Sequence, residues 1–234
     1  MIEGRADESV ITRAEAPRAA GIAGLVFAAL MTASLVMLRR HPGTNSTAEE
    51  IAKWYLADNE RRVSLVGLYL VPFAGIAFLW FSAAIRHNLR AFHDRFFDTV
   101  LLGSALLFVA MLFAAGAAAG SLFAVVEFRG APAPTPDAVG IARGLAYTFF
   151  YVDALRAAAV FMIVTSTVGL RSGVLPRWLT VSGIVIAIVM LVSVSFIALI
   201  PLLFPAWVAV LSIRILRRRA LDVSEPPLDE PAGA

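Results

Sequence analysis

The chain has no cysteine, only three histidines and few charges, with 16% charged residues against 59% hydrophobic ones over 234 positions. The missing cysteine excludes disulfides, thiolate metal sites, c-type haem attachment and thiol nucleophiles. His41, His87 and His93 leave little material for a histidine metal site, and no metal or other cofactor is expected. No segment reads as a soluble module with a basic stripe and stacking aromatics, so nucleic acid is not an expected partner. The net charge of +3 comes mostly from arginines at the ends of apolar runs, which marks topology rather than a ligand surface.

Long apolar runs are what the chain has in abundance. They cover residues 20–38, 63–85, 99–126, 144–170 and 178–213. Each is close to or longer than the roughly 20 residues that carry a helix across about 30 Å of hydrocarbon. A backbone in lipid must satisfy its amides within its own segment, so these runs are expected to be helices and the bilayer to be their solvent. The run at 178–213 is long enough to fold back on itself. Pro201 and Pro205 sit where a turn would divide it, the second helix being the shorter. The fold class that follows is all-α: a polytopic membrane helix bundle with six transmembrane helices, five being the alternative, and both termini cytoplasmic.

Loop charge favours six. With both ends inside, 12 Lys and Arg residues lie on the inner side and 7 on the outer side; five crossings give 8 against 11. The first run is 19 residues with a mixed-charge segment before it, and Arg39, Arg40 and His41 follow where a small-residue cleavage site would stand. It reads as a retained anchor. The domain plan is a polar N-terminal tail over 1–19, the bundle over 20–219 and a disordered, Pro-rich acidic tail over 220–234.

Outside the hydrocarbon, Thr47 is followed three residues later by Glu50, the spacing of a capping box. Ala48, Ile51, Trp54 and Tyr55 then recur at helical spacing. An amphipathic segment near 47–61 is expected on the outer interface, with Trp54 and Tyr55 as headgroup anchors. A gating lid or a partner-docking helix are the other readings. His87, Arg90 and Asp94 share a face if the helix continues past the membrane, but His93, six residues after His87, is turned about 120° away, so the segment reads as solvated interface rather than a metal site. Ala131 to Pro136 reads as a stiff connector. Pro72 marks an expected kink in the second run, and Gly116 and Gly120, among alanines, make a small-residue helix-packing face.

The fourth run alone carries charge near its centre, Asp153 and Arg156. Each costs about 2.5 to 3.5 kcal/mol at mid-membrane, and the nine Leu, Ile, Phe and Val residues from Leu145 to Val164 return only about 3 to 5 kcal/mol in all. The i, i+3 spacing lets carboxylate and guanidinium bond each other, on a face turned to the bundle or a wet cavity. Tyr147 and Tyr151, one turn apart, are candidates to line an access path with Arg143 at its mouth. These five residues are the candidate intramembrane polar site, and no catalytic residue is assigned. Intramembrane proteolysis needs paired aspartates, a serine with a histidine, or a zinc cluster, and no run offers such a set.

The strings at 71–81, 95–97 and 173–179 resemble uncharacterised small multi-spanning membrane proteins of high-GC bacteria. The resemblance implies a cytoplasmic (inner) membrane location and no activity. The expected function is that of a multi-pass membrane protein, not an enzyme, serving as an accessory or scaffold subunit of a larger membrane complex. Its partners would be the lipid bilayer and other membrane subunits. The alternative is a small transporter or channel using Asp153 and Arg156.

Overall fold

In a computed structural model the protein is helical throughout the described residues, which are 3–38, 47–89, 95–129, 134–193 and 199–224. The helices are α1 (Glu3–Leu38), α2 (Ala48–Leu56), α3 (Asp58–Leu89), α4 (Arg95–Arg129), α5 (Pro136–Tyr147), a π-helix (Thr148–Ala154), α6 (Leu155–Ser172), α7 (Arg177–Val192) and α8 (Ile200–Ser224). Five helical segments among them are long and apolar enough to cross a membrane: Ala19–Leu38, Arg62–His87, Arg95–Val126, Pro136–Ser172 and Ile200–Arg217. This is a membrane protein by the length and composition of its helices.

Several boundaries differ from the sequence expectations. Residues 3–19, expected as a separate polar tail, continue the helix of the first span. At the other end α8 runs to Ser224, past the expected start of the tail at 220, and residues 225–234 lie outside the described set. The long last run is divided at 193–199, upstream of both prolines. Pro201 falls in the first turn of α8, where its amide would have no helical partner in any case. The shorter member of the hairpin is therefore the first one, α7, whose 16 residues span about 24 Å. His41, His93, Asp94 and residues 131–133 of the Ala-Pro connector also lie outside the described residues.

Six phenylalanines from five helices hold the bundle together. Phe78 of α3 sits 5.0 Å from Phe27, 4.8 Å from Phe108, 5.0 Å from Phe161 and 5.4 Å from Phe204, measured between ring centroids. Phe81 adds a sixth ring 6.1 Å from Phe78. All six are fully or almost fully buried, and most pairs are tilted or edge-to-face, the arrangement that the ring quadrupole favours. Close approach around this hub depends on small residues. A Cβ on Gly24 would lie 2.7 Å from the Phe81 ring and 2.0 Å from Ser212 Oγ. Lipid chains are as apolar as these side chains, so dispersion at such contacts supplies the cohesion that water would supply elsewhere.

One end of the bundle is tied together by arginines. Arg86 of α3 makes a bidentate pair with Asp98 of α4. Arg171 of α6 lies 5.3 Å from the Phe97 ring, and Arg214 of α8 lies 5.3 Å from the Trp178 ring of α7. Gly21 of α1 sits against Leu216 of α8, which brings the start of the first span to the same end. Gly173, at φ +67°, ends α6 in the left-handed conformation and turns the chain into α7.

Candidate ligand cavity

At the opposite end, the helices separate around a half-open cavity of about 570 Å³. Met31, Ser34, Leu35 and Leu38 of α1 form one wall, with Leu68 and Val71 of α3 beside them. Leu112 to Leu122 of α4 form the second wall, Val139 to Tyr147 of α5 the third, and the π-helix contributes Phe150 and Tyr151. The space exists because the walls are built from small residues where they meet: Ala115, Gly116 and Ala119 on α4, Gly140, Gly144 and Ala146 on α5.

The cavity has a floor and a cap. Met31, Val71, Leu112 and Phe150 line it and also belong to the core cluster that contains the phenylalanine hub. Phe27 and Phe108 lie one helical turn below Met31 and Leu112, so the hub closes the inner end. Over the other end lies α2. Its N-terminus carries the expected capping box: Thr47 Oγ1 accepts from the Glu50 amide at 3.3 Å, and the Thr47 amide donates to the Glu50 carboxylate at 2.8 Å. Ile51 and Trp54, at i and i+3, are buried among Leu122, Phe123, Val139 and Ala142. Trp54 packs against Phe123 at 6.0 Å rather than anchoring in headgroups, a correction to the expected role. The side chain of Tyr55, the other expected anchor, lies outside the described residues. Because Leu122 and Val139 belong both to this cluster and to the cavity wall, α2 covers the cavity's end.

Of the five expected polar-site residues, three line the cavity and two do not. Arg143, Tyr147 and Tyr151 form one face of the helix, each a turn from the next. The two tyrosine rings stack at 4.5 Å with an interplanar angle of 14°. Arg143 is half-buried, its Nη1 shut off from solvent, and no other charged side chain lines the cavity among the described residues.

Asp153 and Arg156 stand apart from this cavity, and among the described residues no ion pair joins them. The expected i, i+3 bond fails for a local reason. Residues 148–154 form a π-helix, whose wider turn removes the α-helical register in which three residues bring two side chains together. Return from i→i−5 to i→i−4 bonding leaves a carbonyl short of an amide donor. The Arg156 guanidinium meets that need, its Nη1 donating to the Val152 carbonyl at 2.7 Å and more weakly to that of Tyr151 at 3.5 Å. A half-buried cation is thus satisfied by backbone rather than by carboxylate. Asp153 is half-buried on the π-helix.

The expected helix-packing face is turned inward. A Cβ on Gly116 would meet Val71 Cγ1 at 3.3 Å, and one on Gly120 would meet Leu68 Cδ1 at 3.9 Å, so both glycines face α3 of the same chain. Ser34, which the sequence reading passed over, is the buried polar residue of the α1 wall. Its hydroxyl donates to the Gly67 carbonyl at 2.7 Å and fastens α1 to α3 beside the cavity. An isolated serine in an apolar run was the available signal, but nothing local points to its partner. No protein-family model matches this chain, and no curated protein or solved structure is significantly similar to it.

Proposed function

We propose that this chain is a non-enzymatic, multi-pass membrane protein that receives a ligand in the capped cavity between α1, α3, α4 and α5. The observation that carries this reading is a cavity of about 570 Å³, inside the range of about 300 to 1,000 Å³ typical of small-molecule sites. It is one-ended, because the ring hub fills the bundle below it. A binding or carrier role is supported over a channel, since six packed phenylalanines offer no polar route. The transport site foreseen at Asp153 and Arg156 shifts to Arg143, Tyr147 and Tyr151.

The reading places the chain in a bacterial cytoplasmic membrane with six crossings and both termini inside. Supporting it, Arg86, Arg171, Arg177 and Arg214 gather at one end, as cytoplasmic faces require. Arg214 returns to Trp178 at the start of α7, so α7 and α8 go out and come back despite the shortness of α7. The α2 cap is then outside.

The second reading, an accessory subunit of a larger complex, is supported by a stripe of exposed large side chains on α3: Tyr69, Phe73, Ile76 and Trp80. A stable hetero-oligomer in mild detergent would favour it.

The absence of native cysteine makes the main test direct. The variant Ala119→Cys, on the cavity wall, is expected to react with a small charged thiol reagent added from the α2 side and not from the other. Reaction from both sides, or ion conduction by the reconstituted protein, would overturn the one-ended cavity.

A further inference from the structure

We infer that the arginine end of the bundle binds the headgroup of an anionic phospholipid, at the corner where α7 meets α8. This inference is independent of the cavity. The first reason is uncompensated charge. Arg86 spends its donors on the Asp98 carboxylate, so that pair adds no net charge. Arg95, Arg171, Arg177, Arg214 and Arg217 are exposed, and none has a carboxylate partner among the described residues. Cations gathered in this way repel one another until an anion settles among them.

The second reason is how two of these side chains are held. Arg214 of α8 lies 5.3 Å from the Trp178 ring, and Arg177 is the residue beside Trp178 at the start of α7. Arg171 of α6 lies over Phe97 at the same distance. A guanidinium laid on a ring is engaged through its face, while its N–H donors lie in its plane and point from the edge. Those edges suit a phosphate, which accepts two parallel donors at once. A side chain already held in place also loses less freedom when the anion arrives.

Depth points to a lipid as the source of that phosphate. Trp178 and Phe96 are exposed at this end. Amphipathic rings such as the Trp178 indole concentrate at headgroup level, so an arginine stacked on one meets the phosphate layer of the leaflet. Basic groups between helices at that level recognise anionic heads, each arginine near the surface strengthening association about fivefold. Phosphatidylcholine carries its own cation beside the phosphate and gains little there; phosphatidylglycerol does not.

The test uses the full chain reconstituted in phosphatidylcholine bilayers, with chain-spin-labelled phosphatidylglycerol or phosphatidylcholine as probe. The motionally restricted fraction reports protein-bound lipid. Phosphatidylglycerol is expected to associate at least about threefold more strongly, less than one arginine's full effect because most shell positions lie elsewhere. Salt at about 1 M, where the Debye length is about 3 Å, is expected to reduce the preference. Arg177→Gln with Arg214→Gln is expected to remove most of it, and Arg214→Lys to keep part. Trp178→Ala, which leaves every arginine in place, is expected to lower it as well. Equal association of the two probes with the unmodified chain overturns the inference, as does an unchanged preference in the double variant. A full preference in Trp178→Ala would assign the effect to diffuse charge and overturn the site. If millimolar inorganic phosphate abolishes the preference and sodium chloride of equal ionic strength does not, the ligand is a free anion and the lipid assignment falls. Equal melting temperatures across the variants establish that each is folded.

Discussion

The two ends of this bundle are made from the same apolar vocabulary and behave differently. Around the hub, large rings from five helices meet in one place, and glycines such as Gly24 admit them. Two turns away, alanines and glycines of α4 and α5 face one another, the rings of Tyr147, Phe150 and Tyr151 line the space rather than fill it, and a cavity remains. What differs between the two regions is the pairing of large side chains with small ones. In a bilayer that pairing decides cohesion, because burial from lipid into protein brings no hydrophobic gain and only packing contributes. The hub is accordingly the densely packed part of the molecule, and the capped end the part that holds the cavity.

The sharpest way to break this contrast is at Phe78, which touches the five other rings of the hub. Phe78→Ala is expected to destabilise the fold by about 3 kcal/mol, the low end for such truncations because the water-transfer component is missing in lipid. Thermal or denaturant unfolding in detergent measures it, and a loss below about 1 kcal/mol would mean that the hub does not organise the bundle.

A matched pair of glycines gives a smaller effect of opposite sign at the two ends. Gly24→Ala drives a methyl into the Phe81 ring and is expected to cost about 1 to 3 kcal/mol. Gly144→Ala meets open space and is expected to stabilise by about 0.5 to 1 kcal/mol through helix propensity alone. Melting of the two variants side by side checks this, and equal effects would erase the distinction between the two regions.

The smallest expected number concerns Asp153 and Arg156. A double-mutant cycle with Asp153→Asn and Arg156→Gln is expected to give a coupling below about 0.5 kcal/mol, the level of independent sites. A coupling of 2 kcal/mol or more, on the order seen for linked pairs, would restore the intramembrane ion pair. Arg156→Gln alone should cost more than Asp153→Asn alone, since it strips the donor from the Val152 and Tyr151 carbonyls.

How much of this was legible depends on the range of each interaction. The capping box at Thr47 and Glu50 was readable because both partners lie within one turn. The face shared by Arg143 and Tyr147 was readable because a regular helix such as α5 repeats every 3.6 residues. The bond between Asp153 and Arg156 was inferred from the same regularity and failed where the regularity stops, at the π-helix. Proline as a divider of the last run also misled: Pro201 sits in the first turn of α8, where it breaks nothing, and Pro205 lies inside the same helix. Trp54 looked like a headgroup anchor because an amphipathic helix shows its apolar side in sequence but not what covers that side.

The residue string by itself determined that the chain is a set of lipid-length helices, because a backbone in hydrocarbon has no other way to satisfy its amides. Tertiary structure alone decided that Phe27, Phe78, Phe108, Phe161 and Phe204 converge, that α2 closes over the opposite end, and that Arg143 looks into a cavity while Asp153 does not. Those are contacts between residues far apart in the chain, and one oily helix face looks like any other until its neighbour is in place.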